Sequence, residues 1–559
     1  MNKKIIVAAL NIMILAGVTA ATPIASAASP DAGAALNQVR EQIERERIAR
    51  QIAEDREKAK NKVENDSGEK EQSAQADITF ELNKIEVAAS EILTAEEIDN
   101  ITKEYAGKRV SIEKLYDVVK KLNKLYEKKG YITCRAYLPP QKIEDGIVKI
   151  AVIEGKTDKV ELVNNKDTKS KYILNRIPLE QGKPADINRL NKELLRFNAT
   201  NDVQLRIVMK AGTGEGTTDY VIEAYEPKKH NFVLFADNAG NYSSGVIRGG
   251  LFYNLRSLSG VRDNLGIGYV FSQGTQAVST SYSRNLGHSG TRLDIACSTN
   301  AVKSVKDDDI YKTKGHSSSY TIGFTQPLAI SDKGRSELSL EYNHQDSKTD
   351  YIVAPLRFNL VADKTDDITL GFAVTDYGKS HIFYQKHRLA AGRSKSTPTA
   401  WAHTSQNFFF YKLNSIYQKY YQHGQQLSFK FDTQWSARDN LTSSKAFFAG
   451  GCYSVRGYKE NYLSGDSGIF ASAEYQVPFN KKRNINGFIF FDYGRIFGEP
   501  VIANDTDRQL YSTGIGVRAV FGKQYSASLA WAFPLKKEFP SHADTVSSSR
   551  LHFQVSAQF

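Results

Sequence analysis

The sequence predicts a membrane all-β protein, a 16-stranded antiparallel transmembrane β-barrel preceded by an N-terminal helix and two small α+β domains. Three observations carry this. The chain opens on an export signal. After Val18 no apolar run approaches the roughly 20 residues that a spanning helix needs. From Asn231 to Phe559 segments of about ten residues alternate large apolar with small or polar side chains, the period a tilted strand needs between lipid and a wet lumen. In hydrocarbon every backbone polar group must find a partner within the protein, so strands can span only as a closed barrel.

The elements follow in chain order. Residues 1–27 read as a signal peptide: Lys3 and Lys4 precede an apolar stretch from Ile5 to Val18, and Ala25-Ser26-Ala27 offers the small side chains of a cleavage site. Residues 31–60 read as a helix rich in Glu, Arg, Ala and Gln. Its apolar residues, Leu36, Val39, Ile43, Ile48 and Ile52, are too sparse for a core-facing stripe. Such a helix suits solvent or a water-filled polar lumen. Residues 61–76 (NKVENDSGEKEQSAQA) read as a flexible tether.

Two units of similar layout come next. In residues 77–155, ITFELNKIEVAAS alternates as one strand, and Thr94 with Glu97 forms a capping box that starts a helix. A second helix covers about Ile112 to Lys129 and ends at Gly130, before the strands YITCRAYLP and GIVKIAVIEG. Residues 156–227 repeat the plan: KVELVNN, a short helix near Tyr172, a helix over about Asp186 to Arg196, then VQLRIVMKAG and TDYVIEAYE.

The barrel segment, 231–559, holds sixteen candidate strands, starting near Asn231, Val246, Asp263, Gln276, Thr291, Ser318, Ser336, Asp366, Ser380, Gln406, Gln425, Gly468, Asn486, Leu510, Ser526 and Arg550. That allots about 21 residues to each strand with its connection, and an even count is expected of a bacterial barrel. The last strand ends the chain on Phe559 behind apolar Leu551, Phe553, Val555 and Ala557.

Composition excludes several classes. A mean hydropathy of -0.44 rules out a helical membrane bundle. The net charge of +12 comes from Lys and Arg interleaved with acids along the whole chain, so no nucleic-acid partner is expected. Cys134, Cys297 and Cys452 fit neither a disulfide framework nor a metal cluster. G-x-S-x-G and H-E-x-x-H are absent, and the ten His stand at loop-like positions, so no enzyme activity is expected. Without a phosphate-cradling Gly-rich loop, no nucleotide or other cofactor is expected.

Three motifs then carry a family resemblance. The run from Leu138 to Lys156, with Pro139, Pro140, Gly146 and the closing Glu154-Gly155, resembles the first of two POTRA modules in outer-membrane transporters of the two-partner secretion (TpsB) family. Val455-Arg456-Gly457-Tyr458, between the eleventh and twelfth strands, and Phe490, Asp492 and Gly494 on the thirteenth resemble signatures of the wider superfamily of POTRA-bearing barrels. There the loop folds back into the lumen and its Arg meets the strand's Asp. An Arg confined in a polar pore wants a carboxylate, and a bidentate pair fixes the loop tip. The terminal strand and Phe559 resemble the signal by which barrels are recognised for membrane insertion.

The resemblance implies a monomeric transporter in the bacterial outer membrane, with the helix and POTRA domains in the periplasm. Its implied partners are one large secreted exoprotein of haemolysin or adhesin type with an N-terminal secretion domain, the outer-membrane lipid and, during biogenesis, the barrel-assembly machinery. It also implies that the helix threads the barrel at rest, and that the client's folding outside drives export. The alternative is an outer-membrane protein assembly or lipid-handling barrel of the same superfamily, which usually carries more POTRA modules.

Overall fold

The computed structural model describes residues 32–44 apart from 37 and 43, and residues 79–559 apart from 306–311, 354–355, 399–403, 439–440, 499–507, 523 and 540–545. The expected signal peptide and tether, and the expected helix beyond residue 44, lie outside the described residues. The chain divides into two compact units: residues 1–54, 230–256 and 263–559, and residues 55–229 with the short stretch Ser257–Arg262.

The second of these units holds the two α+β modules. In the first module β1 (Thr79–Leu82) pairs antiparallel with β3 (Lys108–Ser111), and β2 (Lys84–Val87), β5 (Ile147–Glu154) and β4 (Cys134–Tyr137) form a mixed sheet in the order β2-β5-β4. The expected single strand over ITFELNKIEVAAS is thus broken in two at Asn83. The break has a local cause, because the Asn83 and Lys84 amides both donate to the Gly146 carbonyl and the Asn83 side chain donates to the Asp145 carbonyl. Gly146 has φ +67°, and a Cβ there would lie 2.7 Å from the Glu81 carbonyl oxygen, so the turn that splits the strand requires glycine. Strand β3, between the two helices, was not anticipated.

Helix Ala95–Thr102 opens on the expected capping box between Thr94 and Glu97. Helix Ile112–Lys128 turns Leu115, Val118, Val119, Leu122 and Tyr126 into the module's core. Pro139 and Pro140 lie in the connection after β4. Gly155 leaves no room for a side chain, since a Cβ would meet the Thr133 carbonyl at 2.5 Å.

Glu154 works as a clasp. Its carboxylate accepts from Ser90 Oγ (2.5 Å), the Glu91 amide (3.0 Å) and the Tyr126 hydroxyl (3.0 Å), which ties the loop before the first helix to the end of β5. Partial burial alone would raise its pKa, but these hydrogen bonds outweigh it and hold the group below the usual carboxylate value. A depressed folded pKa contributes stability that is present above the unfolded pKa of about 4.3 and is lost as pH falls through the folded value. We therefore expect Glu154→Gln to destabilise this module by about 1–3 kcal/mol at pH 7. Its urea midpoint in the full chain, followed by limited proteolysis, should also lose part of its acid dependence below about pH 5. An unchanged midpoint would show that the clasp is idle.

The second module orders β6 (Lys156–Val163), β8 (Thr217–Tyr225) and β7 (Gln204–Ala211) as β6-β8-β7, with β6 and β8 parallel. Helices Ser170–Leu174 and Ile187–Thr200 pack Ile173, Leu190, Leu194 and Phe197 against it. The stretch Ser257–Arg262, inside the segment expected to be all barrel, belongs to this unit. Arg262 holds both oxygens of Asp202 (Nε 2.7 Å, Nη2 2.5 Å), and Ser257 Oγ donates to the Asp167 carbonyl.

The other unit is the barrel. Its sixteen strands are β9 (His230–Asp237), β10 (Arg248–Arg256), β11 (Asn264–Ser272), β12 (Thr275–Leu286), β13 (Thr291–Lys303), β14 (Lys312–Ser331), β15 (Gly334–Val353), β16 (Leu356–Tyr377), β17 (His381–Pro398), β18 (Thr404–Tyr420), β19 (Gln426–Ser436), β22 (Ser467–Pro478), β23 (Ile485–Phe497), β24 (Gln509–Phe521), β25 (Tyr525–Pro534) and β26 (Arg550–Gln558). Every neighbouring pair is antiparallel, and β26 closes onto β9 from Gln554↔Asp237 to Gln558↔Val233. Phe559 finishes the seam by exchanging backbone hydrogen bonds with Phe232 (3.0 and 2.8 Å).

Most strands begin within two residues of the expected positions. The exceptions are β14 and β16, which start six and ten residues early. These strands run to 20–22 residues, beyond what a bilayer needs, and the early start of β14 is a polar run, KTKGHSSS, without apolar alternation. The His expectation also fails: His230, His316, His344, His381, His387 and His552 stand on strands, either on the outer face or turned inward like His552.

The alternation has the expected sense. Ile322, Leu340, Leu370, Phe429, Ile489 and Trp531 are exposed on the outer wall, whereas Asn343, Gln345, Thr365, Asp367 and Thr433 are buried on the inner one. A polar inner wall becomes buried because two other parts of the unit fill the lumen.

Candidate functional site

The first lumen element is the helix within residues 32–44. The Ala32 amide donates to Thr349 Oγ1 (3.3 Å) and the Asn300 side chain donates to the Ala32 carbonyl (3.2 Å). Gln38 Nε2 reaches the Ala239 carbonyl at 3.0 Å, and Arg40 Nη2 reaches Thr321 (3.3 Å) and Asn343 (3.2 Å). Glu44 pairs with Lys386 at 2.8 Å, and Glu41 with Lys412 at 3.5 Å. Few apolar residues supplement these: Val39 packs with Phe235, Val270 and Ala277, and Ala32 and Leu36 are fully buried. Polar contacts against a polar wall explain why the helix sequence lacks an apolar stripe.

The second element is the connection from β19 to β22, which includes the short hairpin β20 (Phe447–Ala449) with β21 (Leu463–Gly465). Its tip carries Val455, Arg456, Gly457 and Tyr458, and all four meet the inner wall. Arg456 holds Asp492 of β23 in a bidentate pair (Nε–Oδ2 2.8 Å, Nη2–Oδ1 2.9 Å), and its own amide donates to Oδ2 at 3.2 Å. Nη1 donates to Glu474 on β22 at 3.0 Å. The guanidinium lies 3.4 Å from the ring centroid of Phe490, within cation–π range. Asp492 is fully buried and the Arg456 side chain nearly so.

Each residue of the strand motif thus touches the loop. Phe490 and Asp492 take the guanidinium, and Gly494 leaves the space filled by Val455, whose Cγ2 would lie 2.8 Å from a Cβ. Gly457 donates its amide to Ser512 Oγ (3.2 Å), and a Cβ there would lie 2.8 Å from both the Pro534 nitrogen and Ser512 Cβ. Tyr458 donates its hydroxyl to the backbone carbonyls of Tyr511 and Lys536 and packs its ring with Tyr462 and Phe539. We expect Gly457→Val to unseat the tip. Trypsin added to intact cells should then cut at Arg456 or Lys459, and unchanged protection would refute the requirement for close approach.

Several partners escaped the sequence reading. Glu474 is shared between Arg456 and Arg518, and Arg518 lies over the Phe488 ring at 4.2 Å. Ser472 donates to Asp492 at 2.7 Å, and His552 Nε2 sits 2.5 Å from the Arg456 carbonyl. A lone acid or base within a spanning strand is itself a signal, because it must turn to the lumen. Glu474 and Arg518 could have been found that way. Helix and loop also meet: Glu460 of the loop accepts from Gln38 (3.4 Å) and from the Cys452 amide (2.5 Å). Lys445 of the loop pairs with Asp367, which also accepts from the Asn343 that holds Arg40.

Among the described residues no group of three or more His, Cys, Asp or Glu is placed to hold a metal ion. The three cysteines are free. In the modules, burial pushes the Cys134 thiol up to about 11, which makes it an unreactive core residue.

Comparison with known proteins places this arrangement. Residues 216–519 match the haemolysin secretion/activation protein family ShlB/FhaC/HecB, and residues 80–155 match the ShlB-type POTRA domain. The chain is 23% identical over 483 residues to the heme/hemopexin transporter protein HuxB of Haemophilus influenzae, covering 82% of this chain and 84% of that one. It is 26% identical over 502 residues to the outer membrane transporter CdiB-2 of Burkholderia pseudomallei, covering 81% and 80%. Among solved structures it resembles CdiB from Escherichia coli, with a TM-score of 0.69 at 18% identity over 96% of this chain and all of that one. CdiB from Acinetobacter baumannii gives 0.63 at 16% identity, over 94% and 99%.

Proposed function

The chain belongs to the haemolysin secretion/activation family ShlB/FhaC/HecB, outer-membrane transporters for a partner exoprotein, and on that premise we propose that its POTRA modules select one large exoprotein and that the barrel lumen passes it outward without nucleotide hydrolysis. The observation that carries this reading is that the lumen is stoppered by two parts of the same chain. The helix is held to the wall largely by hydrogen bonds and ion pairs that water can replace. The loop is held by the buried Arg456–Asp492 pair and an apolar cluster of Val455, Tyr458 and Leu463 with Phe470, Ile496 and Leu510. A 16-stranded barrel leaves an aqueous channel once the helix moves aside. Strands β6, beyond its first two residues, and β7 are the edges of the second module's sheet, where an extended client can add as a further strand.

In this reading the client is an exoprotein with an N-terminal secretion domain, of the haemolysin or hemopexin-related kind that the family's and relatives' names indicate, or of adhesin type. Its folding outside supplies the driving force. The loop motif Val455 to Tyr458 and the strand motif Phe490, Asp492 and Gly494 set the resting position of the loop, the POTRA residues Pro139, Pro140, Gly146, Glu154 and Gly155 shape the first module, and Phe559 marks the terminal strand for insertion. The test is co-expression, in a Gram-negative host, with a large exoprotein of the same genome that carries an N-terminal secretion domain. Appearance of that exoprotein in the medium only when this chain is present is expected, and retention in the periplasm despite a folded barrel would overturn the reading.

A further inference from the structure

The outer wall carries an ordered patch that transport does not use. On β15 to β18 the outward residues form rows fixed by the strand register. The last apolar row is Tyr342, Ile368, Ala391 and Phe409. The next row is His344, Asp366, Arg393 and Asn407, and the one after it is Asp346, Lys364, Lys395 and Ser405. Charge begins abruptly where the apolar belt stops, as at a membrane interface.

The acids lie to one side of the patch. Asp346 pairs with Lys364 at 3.1 Å, and Asp366 accepts from Tyr342 and contacts His344, both at 2.7 Å. Toward β18 the patch is positive. Lys364 and Lys395 stand directly opposite each other, an arrangement that repels across a strand pair. On the β18 side Arg393 and Lys395 face Asn407 and Ser405, with Arg393 Nε donating to Ser405 Oγ at 2.8 Å, while on the β16 side Arg393 stands opposite Asp366. The three cations Lys364, Arg393 and Lys395 outnumber the carboxylates Asp346 and Asp366, and with two neutral polar side chains above an apolar row they suit a phosphate whose bearer has hydrocarbon chains.

The patch lies toward the end reached by the long ribbons of β14 to β16. The opposite end has only the two- and three-residue turns 332–333 and 378–380 between these strands. Barrels of this kind put short turns in the periplasm and long extensions outside. We propose that Lys364, Arg393 and Lys395 bind the phosphate of a phosphorylated glycolipid of the external leaflet, with its acyl chains against Ile368, Ala391 and Phe409. The bound phosphate relieves the repulsion between the two lysines. The site rests on the outer-membrane location alone and stands or falls independently of the cargo.

The test measures the melting temperature of the purified full chain in uncharged detergent. The additions are lipopolysaccharide, the same glycolipid stripped of phosphate, and inorganic phosphate at equal concentration. Lipopolysaccharide should raise the wild-type midpoint, whereas the other two should give less than half that rise. The Lys364→Gln/Arg393→Gln/Lys395→Gln chain should lose the rise, and Lys395→Gln alone should lose part of it. Lys333→Gln/Lys379→Gln, altered in the turns at the other end, should keep it. Equal rises in the triple variant and wild type would overturn the proposal, as would a full rise with inorganic phosphate or with the stripped glycolipid.

Discussion

Arg456→Ala is expected to cut export of the partner exoprotein by about tenfold or more while the barrel still assembles. The substitution removes the bidentate partner of a fully buried carboxylate and leaves Asp492 with Ser472 and one backbone amide. Breaking a buried pair on one side costs about 3–5 kcal/mol, enough to shift a seated loop to an unseated one. The loss falls on the loop, because the ladder from β22 to β24 does not pass through Arg456. Heat-modifiable mobility of the extracted barrel separates this outcome from failed assembly. Arg456→Lys should rescue little, since an ammonium cannot make the bidentate pair or lie flat over Phe490. Full export by the alanine variant would remove the motif from the mechanism.

The second large effect concerns the helix. A chain lacking residues 31–71 should show a several-fold higher conductance in planar bilayers than the intact chain, because a 16-stranded barrel is wide enough to hold water. A subtler version reverses one ion pair. Lys386→Glu places like charges at Glu44 and should raise the open fraction, and Glu44→Lys in the same chain should lower it again. Conductance of the truncated chain no higher than that of the intact one would sink the stopper reading.

The architecture was legible wherever a single physical period ran without interruption. Strands β9 to β13, β15, β17 to β19 and β22 to β26 could be placed because alternate residues must be apolar against lipid, and helix Ile112–Lys128 because Leu115, Val118, Val119, Leu122 and Leu125 recur at helical spacing, whereas the short hairpin β20–β21 inside the loop was not anticipated. The outer ends of β14 and β16 were not legible: β14 begins with the polar run KTKGHSSS, and the start of β16 is separated from its lipid-facing part by the polar run Asp363 to Asp367. The break at Asn83 depends on a carbonyl 63 residues away in the chain, which no local pattern encodes.

The site was half legible. Arg456 and Asp492 stood out through motifs, and the geometry gives each motif residue a contact. Glu474, Arg518, Ser472 and His552 converge on them only through closure and register, with β22, β24 and β26 each supplying an inward position. The helix was ambiguous for a related reason. Arg40, Glu41 and Glu44 look like a solvated face until the wall supplies Asn343, Lys412 and Lys386. The low mean hydropathy has the same origin, since an inner wall that must release its helix is polar.

The central claim is that helix and loop fill the lumen at rest, and that the helix must leave it for export while the loop needs its seat on Asp492. An ideal Cβ on Gly315 would lie 3.0 Å from Ala32 Cβ, close enough that a small shift gives disulfide geometry. The most direct measurement is export of the partner by the Ala32→Cys/Gly315→Cys chain, oxidised and then reduced. The account predicts that the oxidised chain exports nothing and that reductant restores export to the level of either single variant. Undiminished export while the disulfide is intact would contradict it.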